Sequence, residues 1–367
     1  MTRTQRRGSL AVLCVALVAI AALVNPRQFA GPYLAAFLFC LGLSLGSMAN
    51  LMMHELTGGR WGLALRGPWM AATRLLPLST ALFIPLLIAL PGFYPWVDSP
   101  TSEAQAKGWW LNVPFFLTRA VIYFLLWNLL ARRWLTIAAR STASRPPALR
   151  HLSAAGLIVY GLTIFLASVD WIMSLMPEWY STAFGLLIAT SQIMSGMALA
   201  IVARTHLHRT ELQPTTLNDF GNLLLTYVMT WAYVAFTQFL IIWAEDLPHE
   251  IAWYVPRVQT SWRWLTISIF ALLFAIPFAL LLFRVIKRTP AALGGLATML
   301  LAGQLSFDFY VVIPTLSPAG ATASWTGVVT IAGVVGVWSI AWLRTLDEPD
   351  ENVGVRWFAD RRLRRSS

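Results

Sequence analysis

The chain has few charged residues and only two cysteines. The first shortage argues against a soluble domain, and the second against cysteine-bound metals and c-type haem. Only 12% of its 367 residues are charged, against the roughly 25% that is usual in soluble domains. Its two cysteines, Cys14 and Cys40, lie inside apolar runs, and no Cys-x-x-Cys spacing occurs. Such spacings are typical of c-type haem, iron–sulfur and zinc sites. The sequence therefore predicts that this chain itself ligates no metal and no cofactor.

Apolar residues are abundant: 57% of the chain is hydrophobic, and the mean hydropathy is +0.64. Arg3, Arg6 and Arg7 precede the first apolar stretch as in a signal peptide, but no convincing Ala-x-Ala cleavage site follows, so a helix is expected. An all-α polytopic membrane protein with about ten transmembrane helices is predicted. The stretches are centred on residues 9–24, 33–53, 73–91, 113–131, 152–174, 182–203, 219–243, 264–284, 291–314 and 325–343.

The net charge of +11 comes from basic residues between the apolar stretches. No nucleic-acid-binding motif accompanies it, so membrane lipids and not nucleic acids are the expected partners. With ten spans, most of the 27 lysines and arginines lie on the side that holds both termini. The other side has only Arg27, Lys107, Arg257 and Arg263, and Arg119 lies within a span. The positive-inside rule then predicts that both termini are cytoplasmic.

A faint internal repeat suggests how the helices are grouped. The segment "SVDWIMSLMP" ends the fifth span, and "SFDFYVVIP" ends the ninth. A displacement of four spans preserves the topology, so we expect two parallel four-helix bundles and two flanking helices. The predicted divisions are an N-terminal transmembrane helix at 1–31, a first bundle at 32–180, a second bundle at 181–316, a last transmembrane helix at 317–345 and a basic cytoplasmic tail at 346–367.

Ionisable residues inside the predicted spans are few, and each is a candidate functional residue because its burial in hydrocarbon is costly. Asp170 and Arg119 are expected at similar heights on consecutive antiparallel helices. Tyr123 follows Arg119 by one helical turn and would extend a hydrogen-bond chain on the same face. Two interpretations remain open for this group. It is either a structural ion pair that fixes helix register or a proton-accessible site near the outer surface.

Asp308 is the second intramembrane candidate, with Gln304 and Tyr310 nearby in the ninth span. It is either a functional carboxyl group or a polar residue near a helix end. Both Asp308 and its neighbours enter the predicted proton path as candidates.

The stretch "MMHELTGGRW" at 52–61 places His54 and Glu55 at the end of the second span. A zincin helix would need its second histidine at Gly58, so a metalloprotease is excluded. Gly58 and Gly59 are expected to stop the helix. Histidine titrates near neutral pH, so His54 and Glu55 are candidates for loading protons at a channel mouth. The alternative is a headgroup-level cap without a role in function.

Several long segments together resemble the ActF subunit of bacterial alternative complex III, also described as quinol:cytochrome c oxidoreductase quinone-binding subunit 2. That family is related to the NrfD-like membrane subunits. The resemblance covers roughly residues 32–260 and extends more loosely over 291–345. The segments that carry it, in chain order, are "HELTGGRWG", "LPLSTALFIPLLIALPGFYPW", "LNVPFFLTRAVIYFLLW", "SVDWIMSLMPEWYSTAFGLL" and "GNLLLTYVMTWAYVAFTQFLIIWAEDLPHEIAWY".

The resemblance implies a non-catalytic or quinone-contacting subunit of a respiratory electron-transport complex in the bacterial cytoplasmic membrane. Its partners would be an iron–sulfur subunit, a multihaem cytochrome c subunit and a second NrfD-like subunit, which would oxidise the quinol. Haem c and iron–sulfur clusters would belong to those partners. His54, Arg119, Asp170 and Asp308 fall within family-like segments and would line a proposed route for proton translocation.

Two other functions are alternatives to this one. A secondary transporter is the main alternative, because parallel repeats and intramembrane charges are also transporter features. No matching pair of Gly- or Pro-broken half-helices is evident, however, and the charges lie near one face. A lipid-headgroup transferase would need an acid–base site on the cytoplasmic face. His54, Glu55 and Arg60 could begin such a site, but no second acid–base cluster accompanies them.

Overall fold

The computed structural model describes residues 3–98, 100–140, 146–207, 212–321 and 324–347. Within these ranges every regular element is a helix. The chain is therefore an all-α polytopic membrane protein, as the sequence predicted. The predicted basic tail lies outside the described residues from position 348 onward.

The helices are α1 (Arg3–Val24), α2 (Pro26–Thr57), α3 (Arg60–Thr73), α4 (Leu76–Ala81), α5 (Ile84–Ile88), α6 (Pro95–Asp98), α7 (Ser102–Ala106), α8 (Val113–Arg140), α9 (Pro147–Trp171), α10 (Phe184–Val202), α11 (Pro214–Glu245), α12 (Pro248–Ile251), α13 (Val255–Gln259), α14 (Arg263–Phe270), α15 (Ile276–Leu281), α16 (Arg284–Arg288), α17 (Pro290–Leu316) and α18 (Trp325–Asp347). A 3-10 turn at Met173–Leu175 follows α9, and π-helical segments at Ala203–Leu207 and Ala271–Ala275 follow α10 and α14.

Ten helical segments in the described ranges are long and apolar enough to cross a membrane, and each overlaps one predicted span. They are Gln5–Val24, Gln28–Thr57, Arg60–Ile88, Val113–Arg140, Pro147–Leu175, Phe184–Leu207, Pro214–Glu245, Arg263–Leu281, Pro290–Leu316 and Trp325–Asp347. The prediction of ten spans is confirmed.

The third span begins earlier than the sequence predicted. The expected stop at Gly58 is present, because its φ of 79° ends α2 and its N–H bonds to the His54 carbonyl. The chain then turns at Gly59 and enters α3 at once, whereas the predicted third span was centred on residues 73–91. Hydropathy alone missed α3 because Arg60 and Arg66 lower the mean hydropathy of this segment. Leu65 and Trp69 are nevertheless fully buried, and that burial favours the helix.

Helix α2 is the centre of the molecule and contacts α3, α9, α10, α17 and α18. Its closest approach is to α10, at Gly46 and Gly196. A Cβ atom at Gly46 would lie 1.7 Å from the Gln192 carbonyl oxygen, and one at Gly196 would lie 2.5 Å from the Gly46 backbone. Small residues allow helix backbones in membranes to touch in this way. The side chain of Asn50 ties the pair by donating to the Gly46 and Ile193 carbonyls, each at 2.8 Å.

The remaining helices form two groups around this contact. In the first group α8 packs on α9 and α4, and α9 packs on α2. In the second group α10 contacts α11 and α17, while α15 packs on α11 and α14 packs on α17. Helix α1 lies outside both groups and packs mainly on α18. The division into two equivalent bundles stays a prediction.

The two ends of the described chain lie on the same side of the molecule. Arg7 in α1 pairs with Asp347 at the end of α18, at 2.6 Å. This side is called the terminal side below, and the opposite one the far side. Because the spans alternate in direction, α9 and α17 both end on the far side.

Candidate functional site

The predicted pair of Arg119 and Asp170 is present near the far side. Arg119 lies in α8 and Asp170 in the last turn of α9. The guanidinium Nε and Nη2 donate to the two carboxylate oxygens of Asp170, both at 2.8 Å. The side chains are only 6% and 1% exposed. This bidentate geometry is the strongest form of an arginine–carboxylate bond.

Further donors complete the hydrogen bonding of Asp170. The Tyr123 hydroxyl donates to Oδ2 at 2.8 Å, as the sequence predicted. The Trp110 indole N–H donates to Oδ1 at 2.9 Å. Arg119 also donates to the Trp110 carbonyl, at 3.1 Å, and its guanidinium lies 4.0 Å from the centre of the Trp110 ring. Each carboxylate oxygen of Asp170 therefore accepts two hydrogen bonds, and the charge of the carboxylate is balanced by that of Arg119. Arg119 and Asp170 are called the closed pair below.

Trp110 was not identified from the sequence as part of this group. It precedes α8 in the far-side connection, and its indole reaches Asp170 across sixty positions of the chain. The only sequence signal was the pair of tryptophans at 109 and 110, which is also typical of an interfacial aromatic belt.

Asp308 has very different surroundings. It lies in α17 and is only 6% exposed. The Gln304 amide donates to its carboxyl group at 3.3 Å, one helical turn away. In the described part of the chain no basic side chain comes within 4.0 Å of it. The amide oxygen of Gln304 has no hydrogen-bond partner there either. A buried carboxyl group without a basic partner is a candidate for binding and releasing a proton.

Tyr310 does not join Asp308 and Gln304, although the sequence grouped the three. With Phe307, its side chain lines a separate cavity toward α11 and α14. Asp308 does not line that cavity. The 100° step between successive residues of a helix separates the two faces.

Arg257 was counted among the far-side charges but not identified as a site residue. It lies in the short helix α13 and is fully buried. Its guanidinium donates to the Trp253 carbonyl at 2.6 Å, the Tyr310 carbonyl at 3.1 Å and the Thr315 hydroxyl at 2.9 Å. Burial lowers the pKa of Arg257 to about 10, against the opposing effect of Tyr310 and Tyr254. Arg257 thus joins the far-side connection to the end of α17.

A cavity of about 550 Å³ lies among α11, α14, α17 and the connection between α11 and α14. Its wall is largely aromatic, and its polar side chains come from Trp, Gln, Tyr and Thr residues. It is lined by Leu187, Met229, Trp231, Ala232, Tyr233, Ala235, Phe236, Gln238, Phe239, Trp253, Tyr254, Thr266, Ile269, Phe270, Phe274, Phe307 and Tyr310.

His54 and Glu55 lie on the terminal side and are buried beneath the start of α3, at 3% and 2% exposure. The His54 Nε2 atom is 3.0 Å from the Gly59 carbonyl oxygen, and its ring meets Trp61 edge-on. Arg60, at the start of α3, is exposed. The predicted proton-loading role of His54 and Glu55 stays a prediction.

Across the described ranges, no group of three or more His, Cys, Asp or Glu residues could hold a metal ion. Comparison with known protein families finds no family model that matches the chain, and comparison with characterised proteins finds no match either.

Proposed function

We propose that this chain is an integral membrane subunit of a quinol:cytochrome c oxidoreductase of the alternative complex III type. In this proposal the terminal side faces the cytoplasm of a bacterium, as the distribution of lysine and arginine favours. The chain anchors the complex, contributes to quinone binding and provides a group for proton transfer. Its partners are an iron–sulfur subunit, a multihaem cytochrome c subunit and a second NrfD-like subunit.

The unpaired state of Asp308 is the observation that carries the proton part of this proposal. Oxidation of a quinol releases protons, and a nearby carboxylate accepts one of them more readily when no cation lowers its affinity for a proton. Asp308 lies toward the far end of α17, on the side where the proposed orientation puts the periplasmic electron acceptor. Asp170, which the Arg119 guanidinium holds, does not offer the same chemistry.

The support for the complex comes from the series of family-like segments. The segment at 168–177 forms the end of α9 and the turn after it, and it includes Asp170. The segment that ends at Tyr254 supplies most of α11 and part of the wall of the aromatic cavity. A subunit that contacts quinones would need such surfaces within the bilayer.

Purification through a tag on this chain, after gentle detergent extraction from native membranes, tests the proposal. A multihaem cytochrome c and a large iron–sulfur protein in fixed ratio to the chain are expected. A chain that purifies alone, without haem absorbance and without quinone, would overturn it. Substrate uptake by proteoliposomes that hold only this chain would then establish the transporter alternative.

A further inference from the structure

Two adjoining cavities along α11 form one continuous groove. The aromatic cavity meets a second cavity, of about 460 Å³, at Phe239 and Tyr254, which line both. The second cavity lies at the far-side end of α11 and is called the rim cavity below. It is lined by Phe239, Ile242, Trp243, Asp246, Ile251 and Tyr254. The groove therefore runs from the interior of the bilayer to its far-side surface.

The aromatic cavity has the depth of one leaflet of a bilayer. Its lining residues on α11 run from Met229 to Phe239, which is roughly 15 Å at a helical rise of about 1.5 Å per residue. Half of a hydrocarbon core about 30 Å thick is also about 15 Å. Asp246 lies roughly 10 Å beyond Phe239 along the chain. Its carboxylate is therefore at the level of the lipid headgroups.

A hydrocarbon chain can reach the aromatic cavity from the bilayer. Tyr233 and Phe236 on α11 are 70% and 60% exposed, and Phe270 on α14 is 56% exposed. All three line the cavity, so it opens sideways between the two helices. The Gln238 amide N–H and the Thr266 hydroxyl, which also line it, donate to acceptors of the protein at 3.2 Å and 2.9 Å. An apolar chain can therefore fill the cavity without breaking either hydrogen bond.

The rim cavity has the chemistry of an ammonium site. Aromatic rings of Phe239, Trp243 and Tyr254 line it together with the carboxylate of Asp246. Cations are attracted to the faces of aromatic rings, and aromatic cages recognise ammonium groups in this way. The carboxylate supplies the opposite charge, and no lining residue of either cavity is basic. Arg263, at the start of α14, is exposed and lines neither cavity. A headgroup with an ammonium group is therefore favoured over one with a net negative charge.

The end of α11 sets Asp246 at the rim. Its φ of 52° lies in the left-handed region, and its N–H bonds to the Ile242 carbonyl at 3.1 Å. Glycine is the usual residue at such helix ends because it adopts this conformation without strain. Among the described residues, Asp246 is the one non-glycine residue with a positive φ. Backbone strain of this kind is concentrated at functional positions.

We propose that this groove binds one phospholipid of the far-side leaflet whose headgroup carries a primary ammonium group. One acyl chain fills the aromatic cavity, and the ammonium group lies in the rim cavity at Asp246. The phosphate stays at the hydrated surface and needs no base of the protein. The inference requires only that the chain spans a membrane, so it goes beyond the proposed function and does not depend on the partner subunits.

Photolabelling tests the site on the protein as it purifies, together with any partners that it retains. The probe is phosphatidylethanolamine with a diazirine in one acyl chain, added to protein that detergent has washed free of bound lipid. Peptides covering residues 229–239 and 266–274 are expected to carry the label, and excess unlabelled phosphatidylethanolamine should remove it. Phosphatidylglycerol with the same acyl chains, which lacks the ammonium group, should compete about tenfold less well.

Four results would overturn the inference. Equal labelling of residues 121–129 of α8, whose exposed side chains are all apolar, would indicate an ordinary lipid-facing surface. Equal competition by phosphatidylglycerol would remove the role of the ammonium group. Stronger competition by decyl-benzoquinone than by phosphatidylethanolamine would assign the cavity to a quinone. Absence of label from both peptides would show that the cavity is closed to lipid or covered by a helix of another subunit.

Asp246→Asn separates the charge of the rim from its shape. Asparagine adopts the left-handed conformation as readily as aspartate, so α11 should end unchanged while the rim loses its charge. The preference for phosphatidylethanolamine over phosphatidylglycerol is expected to fall from about tenfold to less than about threefold. Glu245→Gln is the matched control, because Glu245 is the neighbouring exposed acid and lines neither cavity. An equal fall in both variants would contradict a specific contact at Asp246.

Ala235→Phe tests the place of the acyl chain. Ala235 lines the aromatic cavity, so a phenyl ring there would occupy the space of the chain. Labelling of residues 229–239 and 266–274 should fall at least about fivefold. Ala244→Phe, on an exposed residue of the same helix outside both cavities, should leave the labelling unchanged. Undiminished labelling in Ala235→Phe would show that the chain does not enter the aromatic cavity.

Discussion

The aspartates of the two Ser-x-Asp-aromatic segments, Asp170 and Asp308, have opposite electrostatic surroundings. Asp170 has a bidentate guanidinium and two further donors, whereas Asp308 has one amide donor at 3.3 Å. The arginines explain the difference. Arg119 lies inside α8 and reaches Asp170, while Arg257 lies ahead of α14 and donates to carbonyls at the end of α17. Among the described residues, Asp308 is therefore left without a cation, because Arg257 donates to backbone carbonyls and a hydroxyl instead.

This contrast separates a structural role from a functional one. The closed pair fixes α8 against α9, and both of its carboxylate oxygens already accept two hydrogen bonds. A carboxyl group without a counter-charge costs stability, and proteins keep such groups where they are used. The comparison therefore favours Asp308 over Asp170 as the proton-handling residue, although the local sequences are alike.

Removing the arginine of the closed pair should have the largest effect. Arg119→Leu leaves Asp170 buried without its cation, and the loss of one partner of a buried pair costs about 3–5 kcal/mol. Thermal unfolding of the purified protein in detergent should show a large fall in melting temperature. The double variant Arg119→Leu with Asp170→Asn should recover part of this loss. A single variant as stable as the parent would show that the pair does not hold the helices.

Arg257→Gln should have the next largest effect, because it removes bonds from a buried cation to the end of α17. Charge-assisted hydrogen bonds contribute about 1.5–3 kcal/mol, so a loss of about 2 kcal/mol is expected in the same unfolding measurement. Arg263→Gln is the matched control, since Arg263 also lies beside a tryptophan, at 5.2 Å from its ring, but is exposed. Equal effects of the two variants would contradict the joining role of Arg257.

The two aspartates can then be compared directly by the same isosteric change. Asp170→Asn keeps the shape of the side chain and one acceptor oxygen but removes its charge, so the loss of charge-assisted hydrogen bonds from Arg119 should cost about 1.5–3 kcal/mol. Asp308→Asn removes no ion pair and should change stability by less than about 1 kcal/mol. Proton release on quinol oxidation should fall in Asp308→Asn.

The activity measurement needs its own control. Any variant of Asp170 that still folds should retain proton release per quinol, because the closed pair takes no part in it. Unchanged proton release and quinol turnover in both variants would remove the proton path from the proposed function, and the assignment as a membrane subunit would survive.

Much of this arrangement could be predicted from the sequence. Ten spans followed from hydropathy, and the pairing of Arg119 with Asp170 followed from their heights on consecutive helices. Tyr123 followed from helical spacing. These features depend on residues close in sequence or on regular helix geometry.

The features that were missed depend on how the connections fold. Trp110 reaches Asp170 from the far-side connection before α8, and Arg257 reaches the end of α17 from the short helix α13. No periodicity specifies such contacts between distant parts of the chain. The separation of Tyr310 from Asp308 was missed for another reason: two residues near each other in sequence lie on different faces of one helix.

The smallest expected effect tests how much the Tyr123 hydroxyl contributes to the stability of the closed pair. Tyr123→Phe removes one of four donors to Asp170, and three donors from Arg119 and Trp110 remain. The expected loss of stability is therefore about 1 kcal/mol. Tyr233→Phe, on a side chain that is 70% exposed, should cause none. A loss as large as that from Arg119→Leu would mean that the hydroxyl, and not the guanidinium, holds Asp170, and the contrast with Asp308 would then need another cause.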